Sequence, residues 1–378
     1  MWYRLLSHYS RKMITVCVES GSYILAVPSD GDTLQHWFTT SSDMATGIVA
    51  KHRSWRDQVP WYSRLVLAIV GFSWDVARRF DFFRRLLVLL DPKSPPSSAN
   101  GVTSSDVTVD PSRNLWFRLY VPSTASSPSS TLPIIFYFHG GGFVAFSPSS
   151  VPYDNLCRTL ARDLQAVVVS VNYRLAPEHR YPSQYEDGLD TLKFIDARNY
   201  GVLPSSADLG KCFLAGDSAG GNIAHHVAVR SSDHVFEKMK IIGLLAIQPF
   251  FGTEERTESE RRLDGVAPLL NIKRTDWFWR SFLPVGSDRD HEAANVSGEE
   301  VAAVRFPATV VLVGGYDPLQ DGQRRYSEGL KKSGKEVEVV ELPNAIHWFY
   351  TFPKLPVFRI AIAKLKEFIE KQSAAATM

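Results

Sequence analysis

Short apolar runs alternate with helix-like segments through most of this chain, and this alternation constrains the fold more than any other feature. The runs have the length and composition of buried strands, and they are Ile134–Phe138, Ala166–Val171, Cys212–Ala215, Ile241–Ile247, Ala308–Val313 and Val337–Leu342. Two earlier runs, 107–109 and 115–121, predict an antiparallel pair. The alternation predicts an α/β fold with a mainly parallel central sheet and helices on both faces.

A glycine-flanked serine lies at one strand-to-helix junction. The pentapeptide Gly216-Asp217-Ser218-Ala219-Gly220 follows an apolar run and precedes a helix-like run that starts at Asn222. Glycines permit a sharp backbone bend there, which would present the Ser218 hydroxyl in a cleft and aim the amides of the new helix at it. The context indicates a nucleophilic serine. Asp217, the residue before the serine, is expected to support the turn through local hydrogen bonds and not to take part in the reaction.

Three glycines follow another strand-like run, in His139-Gly140-Gly141-Gly142. Their unshielded N–H groups suit an oxyanion hole, in which each donor is worth about 3–4 kcal/mol in acyl transfer. A flexible turn is the alternative for such a run alone. Together with the serine turn, the pattern favours the oxyanion hole.

An acid and a base candidate each follow a strand-like run. Asp317 comes after Gly314-Gly315, and His347 comes after the run that ends at Leu342. The order Ser, Asp, His along the chain is that of α/β-hydrolases. Asp321 is the alternative acid, one helical turn further on. The other histidines near the motifs are predicted to lie on a helix or in an exposed loop, and they are His225, His226 and His291.

Longer motifs resemble those of plant carboxylesterases in the hormone-sensitive-lipase-like branch of the α/β-hydrolases. They are His139–Phe143, Val171–Glu178, Gly216–Asn222, Glu255–Glu260, Asp276–Trp279 and Tyr316–Leu319, and the resemblance covers roughly Met44 to Ile369. It implies an α/β-hydrolase fold with an N-terminal helical lid. The Arg-interleaved stretch Trp61–Leu90 would form that lid; a surface helix or a membrane-surface helix are the alternatives.

The resemblance implies a role for each site residue. Ser218 would be the nucleophile, His347 the general base and then acid, and Asp317 the group that orients the imidazole. The oxyanion hole would use the amides of Gly141, Gly142 and Ala219. The predicted activity is that of a serine carboxylesterase which forms an acyl-enzyme from a small-molecule ester and needs no cofactor and no metal.

Plant gibberellin receptors share this fold and many of these motifs, so a non-catalytic hormone-binding protein is the alternative function. The receptors lack the catalytic histidine, whereas this chain keeps His347. It also has Ala219 where the receptors typically carry serine. Both differences favour the enzyme.

Aromatic residues near the motifs are candidates for the substrate pocket. We predict that Phe143, Phe250 and Phe251 contact the substrate. A second aromatic group lies in the insertion 250–297, and its members are Trp277, Phe278, Trp279 and Phe282. These residues either fill the core or form the wall of an acyl pocket, and the sequence leaves both roles open.

The predicted organisation has four parts. They are a poorly ordered or dispensable extension 1–43, a lid and Pro/Ser linker 44–100, a catalytic domain 101–372 that includes the insertion, and a tail 373–378. No apolar run is long enough to span a bilayer, and no targeting segment is recognisable at the start. These observations predict a cytoplasmic protein, with the nucleus left open as a further compartment.

Composition excludes several classes of protein. With 378 residues, 44% of them hydrophobic, the chain can bury a large core without disulfides. A net charge of +2 gives no basis for a nucleic-acid partner. Three scattered cysteines, at 17, 157 and 212, match neither a disulfide framework nor a metal site. Nothing in the sequence predicts the oligomeric state.

Overall fold

The computed structural model describes residues 54–126, 131–198 and 201–377, together with the backbone of four earlier strands. The chain divides into two units, Met1–Ser54 and Trp55–Met378. The first unit contains an antiparallel sheet with the order β1-β2-β3-β4, formed by β1 (Tyr3–Leu5), β2 (Ile14–Glu19), β3 (Ser22–Pro28) and β4 (Leu34–Thr39). Of the predicted extension 1–43, only the backbone of these four strands is described, and the expectation that the extension is poorly ordered or dispensable stays a prediction.

The second unit is built on a nine-stranded sheet with the order β13-β12-β11-β10-β8-β9-β7-β6-β5. The strands are β5 (Ser98–Ala99), β6 (Val102–Asp110), β7 (Leu115–Pro122), β8 (Leu132–Phe138), β9 (Val167–Asn172), β10 (Ala207–Asp217), β11 (Ile241–Ile247), β12 (Ala308–Tyr316) and β13 (Val337–Ile346). Strands β8 to β13 all run parallel to one another, whereas β7 pairs antiparallel with both β9 and β6, and β6 pairs antiparallel with β5. The predicted mainly parallel sheet is confirmed.

Helices connect the strands and cover both faces of the sheet. They are α1 (Trp55–Gln58), α2 (Trp61–Ala77), α3 (Asp81–Leu90), α4 (Val151–Asp163), α5 (Ser183–Arg198), α6 (Ala219–Ser231), α7 (Glu258–Leu263), α8 (Ile272–Phe282), α9 (Gln320–Lys332) and α10 (Pro356–Ala375). Short 3₁₀ helices occupy Pro111–Arg113, Ser123–Ser126 and Phe349–Thr351.

The two faces of the sheet follow from the period-2 alternation of side chains along each strand. In β8, Phe136 and Phe138 contribute to a core shared with α5 and α6, whereas Ile135 and Tyr137 contribute to a core shared with α4 and α10. All four side chains are fully buried. Because both faces are covered, the strand is apolar throughout, as expected for a central parallel strand.

Helices α2 and α3 pack near the carboxyl ends of the parallel strands. Trp74 of α2 joins the same core as β8 and α6, and Arg84 of α3 is buried. Arg84 pairs with Glu178 and donates a hydrogen bond to the carbonyl of Val144, 3.4 Å away. Residues 61–90 therefore form two helices that are anchored to the α/β core.

Two segments differ from their predicted structure. The predicted linker contributes β5, which pairs with β6 through a tight hairpin at Asn100-Gly101. Both turn residues have positive φ, 53° and 75°, the conformation that an Asn-Gly hairpin turn requires. The last helix also continues to Ala375 into the predicted tail, because alanine is the strongest helix former.

Candidate active site

Ser218 occupies the turn between β10 and α6. The strand ends at Asp217 and the helix begins at Ala219, so Ser218 alone makes the bend, with φ 52° and ψ −120°. This conformation is strained for a residue with a side chain and is typical of functional sites. Hydrogen bonds hold the turn: the Ser218 amide donates to the carbonyl of Ile247 at 3.0 Å, and its carbonyl accepts from Phe250 at 2.9 Å.

The two glycines of the pentapeptide are required by close backbone contacts. A Cβ on Gly216 would lie 2.1 Å from the carbonyl oxygen of Gly220. A Cβ on Gly220 would lie 1.9 Å from the carbonyl oxygen of Phe138. Real Cβ atoms do not approach so closely, and both contacts involve backbone that cannot rotate away. The turn therefore brings α6 against β8 at a distance that only glycine allows.

Asp317 and His347 meet at the ends of β12 and β13. The Nδ1 atom of His347 lies 2.9 Å from Oδ2 of Asp317, and both side chains are buried. The carboxylate also accepts from the Leu319 amide at 3.0 Å and from Nε2 of Gln323 at 2.9 Å. These donors fix the orientation of Asp317, which in turn fixes the imidazole ring with Nε2 on its other side.

The alternative acid and bases lie elsewhere. Asp321 accepts a hydrogen bond from the Ser259 amide at 2.7 Å and does not contact His347. His225 contacts the Tyr326 hydroxyl at 3.0 Å, and His226 stacks on the ring of Tyr185.

His291 packs against the Tyr181 ring. Each of these three histidines thus has a packing role away from Ser218.

The glycine run forms a left-handed loop beside the serine. Gly141 and Gly142 have φ of +105° and +61°, and both line the same cleft as Ser218 and His347. Their backbone is therefore presented to the space in front of the hydroxyl. Ala219, the third predicted oxyanion donor, is buried as the first residue of α6, directly after Ser218.

Asp217 connects the serine turn to the glycine loop. Its Oδ1 accepts from the Gly140 amide at 2.9 Å and from the Tyr137 hydroxyl at 2.6 Å, and its Oδ2 accepts from the Tyr153 hydroxyl at 3.0 Å. Burial raises the pKa of Asp217, an effect that the tyrosine hydrogen bonds partly offset. The side chain supports the site across three elements and not by the local hydrogen bonds that the sequence indicated.

His139 has a structural place at the start of the glycine loop. Its ring stacks on Tyr173 with centroids 4.3 Å apart, and its Nδ1 lies 2.9 Å from the Gly140 carbonyl oxygen. Burial lowers the pKa of His139 to about 3. The ring is consequently neutral at physiological pH and supports the loop by packing.

The cleft is narrow and has aromatic walls. Its volume is about 30 Å³, and the side chains that line it beside the motif residues are Val70, Trp74, Phe146, Leu269, Leu270, Phe278, Trp348 and Tyr350. They come from α2, from the segment before α8, from α8 itself and from the turns that follow Gly142 and His347. The cleft therefore combines a small polar end at Ser218 with apolar walls.

Residues 135–351 match a family model described by the α/β-hydrolase fold. The chain belongs to the α/β-hydrolase family. Among curated relatives, a gibberellin receptor of Arabidopsis thaliana is 40% identical over 83% of this chain and 95% of its own length. Carboxylesterase 20 of the same plant is 43% identical over 65% of this chain and 78% of its own. A 3-O-acetylpapaveroxine carboxylesterase of Papaver somniferum is 35% identical over 72% and 90%.

A solved structure of another family member has the same fold. A hyperthermophilic esterase from the archaeon Pyrobaculum calidifontis superposes with a TM-score of 0.65 at 30% identity, covering 84% of this chain and 99% of that one. The predicted membership of a branch that holds plant carboxylesterases and gibberellin receptors is thus confirmed.

The residues that we predicted to contact substrate lie in the core of this α/β-hydrolase. Phe143 stacks on Phe282 at 3.7 Å, Phe250 stacks on Trp279 at 4.1 Å, and Phe251 packs against Tyr326. None of the three lines the cleft. The rings of Phe143 and Phe250 pack against α8, and the ring of Phe251 packs against α9, so the part of the chain that the structure describes places all three in the core. Contact between these residues and a substrate stays a prediction.

Different aromatic residues line the cleft instead. Trp348 and Tyr350 lie one and three residues after His347, a sequence signal that could have identified them. Trp74 comes from α2 and was not predicted. Phe278 belongs to the aromatic group of the insertion, whose two alternative roles were core packing and an acyl pocket. It is the member of that group that lines the cleft.

The described part of the chain offers no cluster of three or more His, Cys, Asp or Glu side chains suited to a metal ion. Cys157 and Cys212 are buried free thiols. Among the described helices, each is too short or too polar to cross a bilayer.

Proposed function

We propose that this protein is a serine carboxylesterase that hydrolyses small-molecule esters through an acyl-enzyme. The observation that carries the proposal is the 2.9 Å contact between Asp317 and Nδ1 of His347, in a protein whose His347 and Ser218 line one cleft. An imidazole held in this way exposes Nε2 as a base. The names of the carboxylesterase relatives agree with this function.

Acylation begins when Ser218 Oγ attacks the ester carbonyl carbon. The hydroxyl proton passes to Nε2 of His347, and the carboxylate of Asp317 stabilises the imidazolium that results. The carbonyl oxygen becomes an oxyanion, which accepts hydrogen bonds from the amides of Gly141, Gly142 and Ala219. When the tetrahedral intermediate collapses, the C–O bond to the alcohol breaks, and the alcohol leaves with the proton from His347.

Deacylation repeats the same chemistry with water. His347 takes a proton from a water molecule, whose oxygen attacks the acyl carbon of the Ser218 ester. Collapse of the second intermediate breaks the bond to Ser218 Oγ, and His347 returns the proton to that oxygen. The products are a carboxylic acid and the free enzyme, so the reaction requires no cofactor.

A hormone-binding function without turnover is the second candidate. The gibberellin receptor relatives match over more of this chain than Carboxylesterase 20 does, 83% against 65%. The retained His347 and its hydrogen bond with Asp317 favour the esterase, because a binding protein has no need for an oriented base.

One set of measurements separates the two candidates. Purified protein is assayed with p-nitrophenyl acetate, labelled with a fluorophosphonate probe, and titrated with gibberellin by calorimetry. We expect ester turnover and labelling, both lost in Ser218→Ala, with no gibberellin binding. Gibberellin binding by a protein that neither hydrolyses esters nor reacts with the probe would establish the receptor-like function instead.

A further inference from the structure

Helix α2 is fastened to α8 by a two-point ion pair next to the cleft. Arg274 donates from Nη2 to Oδ2 of Asp75 at 2.6 Å and from Nε to Oδ1 at 3.1 Å. A planar guanidinium that meets both carboxylate oxygens is the strongest geometry for such a pair. The Arg274 hydrogen bonds lower the pKa of Asp75 although partial burial opposes them. The carboxylate therefore stays charged at neutral pH.

The guanidinium also packs directly against the backbone of α2. A Cβ added to Gly71 would lie 2.9 Å from Nη1 of Arg274, so the absence of a side chain at Gly71 makes room for the arginine. Nη1 in turn donates to the Leu269 carbonyl. Arg274 thus connects α2 to the segment before α8, and both elements contribute cleft residues.

Trp74 precedes Asp75 in α2, so the ion pair of Asp75 also fixes the position of the Trp74 ring beside the cleft. Its ring meets the Phe278 ring edge to face, with centroids 5.4 Å apart. Phe278 lies directly over the glycine loop, where a Cβ on Gly142 would be 2.3 Å from its Cδ1 atom. The two rings therefore form a wall in contact with one of the proposed oxyanion donors.

The space left by this wall is small. The cleft volume of about 30 Å³ compares with roughly 10–15 Å³ for one water molecule and with several hundred Å³ for common ligand pockets. An acetyl group fits a space of this size. A longer acyl chain needs more space than this, and Trp74 and Phe278 are among the side chains that limit that space.

We propose that Asp75 and Arg274 are specificity-determining positioning residues, which hold Trp74 and Phe278 against Gly142 and thereby restrict the acyl group on Ser218 to about acetyl size. The inference rests on the proposed esterase function. It concerns residues that do not touch the reacting atoms, so it is tested by acyl-chain selectivity and not by loss of activity.

The first test compares kcat/KM for p-nitrophenyl acetate and p-nitrophenyl octanoate. We expect the wild-type protein to prefer acetate by about 100-fold, and Arg274→Gln and Phe278→Leu to lower that ratio by about tenfold, mainly through the KM for octanoate. The matched control is Arg262→Gln, which removes an exposed pair with Glu258 on another helix. It should leave the ratio unchanged.

The pair is then tested as a unit. If Asp75 and Arg274 act through each other, Asp75→Asn combined with Arg274→Gln should change the selectivity no more than either substitution alone. Equal wild-type turnover of the two esters, additive effects of the two substitutions, or a ratio that Phe278→Leu does not move would overturn the proposal.

Binding measured without turnover separates this inference from the proposed function. In the Ser218→Ala background, p-nitrophenyl esters should quench the fluorescence of Trp74 and Trp348, which line the cleft. We expect the acetate to bind more tightly than the octanoate, and Arg274→Gln to reverse this order. Suppose the wild-type protein has no esterase activity, but its Ser218→Ala form binds the acetate more tightly than the octanoate. That result would refute only the esterase function. Octanoate binding that matches or exceeds acetate binding would refute only the size limit.

Discussion

Asp317 and His347, thirty residues apart in the chain, lie with Oδ2 and Nδ1 separated by 2.9 Å. The contact exists because β12 and β13 are adjacent parallel strands whose carboxyl ends lie at the same edge of the sheet. Side chains that follow neighbouring parallel strands meet at that edge. The hydrogen bond selects the imidazole tautomer that leaves Nε2 unprotonated.

Replacement of Asp317 should lower turnover far more than replacement of Asp321, the alternative acid. In Asp317→Asn, loss of the oriented tautomer should lower kcat by about 10⁴-fold, as in serine proteases with the same substitution. Asp321→Asn, which alters a carboxylate bonded to Ser259, should change kcat less than about threefold. Steady-state hydrolysis of p-nitrophenyl acetate measures both. Similar losses in the two variants would contradict the role proposed for Asp317.

A side chain at Gly220 should disrupt the serine turn. In Gly220→Ala the new Cβ would lie 1.9 Å from the Phe138 carbonyl oxygen, so we expect the free energy of unfolding to fall by at least about 3 kcal/mol. Gly322→Ala is the control, since Gly322 lies in the first turn of α9 and its Cβ would approach no atom closer than 3.3 Å. It should change stability by less than about 1 kcal/mol. Urea unfolding compares the two, and equal stability would contradict the close approach.

Asp217→Asn should alter the pH dependence of stability. Because the folded pKa of Asp217 is raised, the folded protein binds more protons than the unfolded chain between the ordinary carboxyl value of about 3.9 and the raised value. This contribution to stability is full below the ordinary value and is lost as pH rises through the raised one.

The asparagine variant lacks that titration but keeps the hydrogen bonds. Its Oδ1 can accept from Gly140 and Tyr137 while its Nδ2 donates to the Tyr153 hydroxyl. We therefore expect the variant to gain stability relative to the wild type as pH increases from 4 to 8. Urea unfolding at several pH values measures this difference, and a difference that is constant with pH would contradict the raised pKa.

Arg84 should be essential for attachment of α3, whereas its neighbour Arg85 should not. The Arg84 side chain is 3% exposed and bonds to Glu178 and the Val144 carbonyl, while Arg85 is 66% exposed. Arg84→Gln should reduce the unfolding free energy by about 1–3 kcal/mol, because it leaves the carbonyl of the buried Val144 without this donor and removes the ion pair with Glu178. Arg85→Gln should change it by less than about 0.5 kcal/mol. Faster proteolysis of α3 in Arg85→Gln than in Arg84→Gln would contradict this assignment.

The strands and their connecting helices were largely predictable because their signals are local. The run Ile241–Ile247 coincides with β11, and the run that begins at Ala308 continues as β12 to Tyr316. The helix after Ser218 begins at Ala219 and not at Asn222, since Gly220 and Gly221 are helical here although glycine disfavours helices. Tertiary contact with β8 outweighs that preference.

The hairpin at Asn100-Gly101 was missed although its signal is among the strongest for a short turn. The surrounding prolines and serines indicated a linker, and two-residue strands have no periodicity to detect. Trp74 of α2, which lines the cleft, was missed for a different reason. Its helix has apolar residues on more than one side, so the sequence could not distinguish the ring that faces the cleft from those that face solvent.

By itself, the sequence determined the strand order along the chain, the sharp turn at Ser218 and the candidates Asp317 and His347. These properties depend on residue spacing and on steric rules for a few consecutive residues. Only the tertiary structure decided which aromatic rings surround the cleft, with Phe278 at its wall and Phe143 in the core. That choice depends on how α2, α8 and the glycine loop pack against one another, and contacts between segments about 200 residues apart, such as Asp75 with Arg274, leave no pattern in either segment alone.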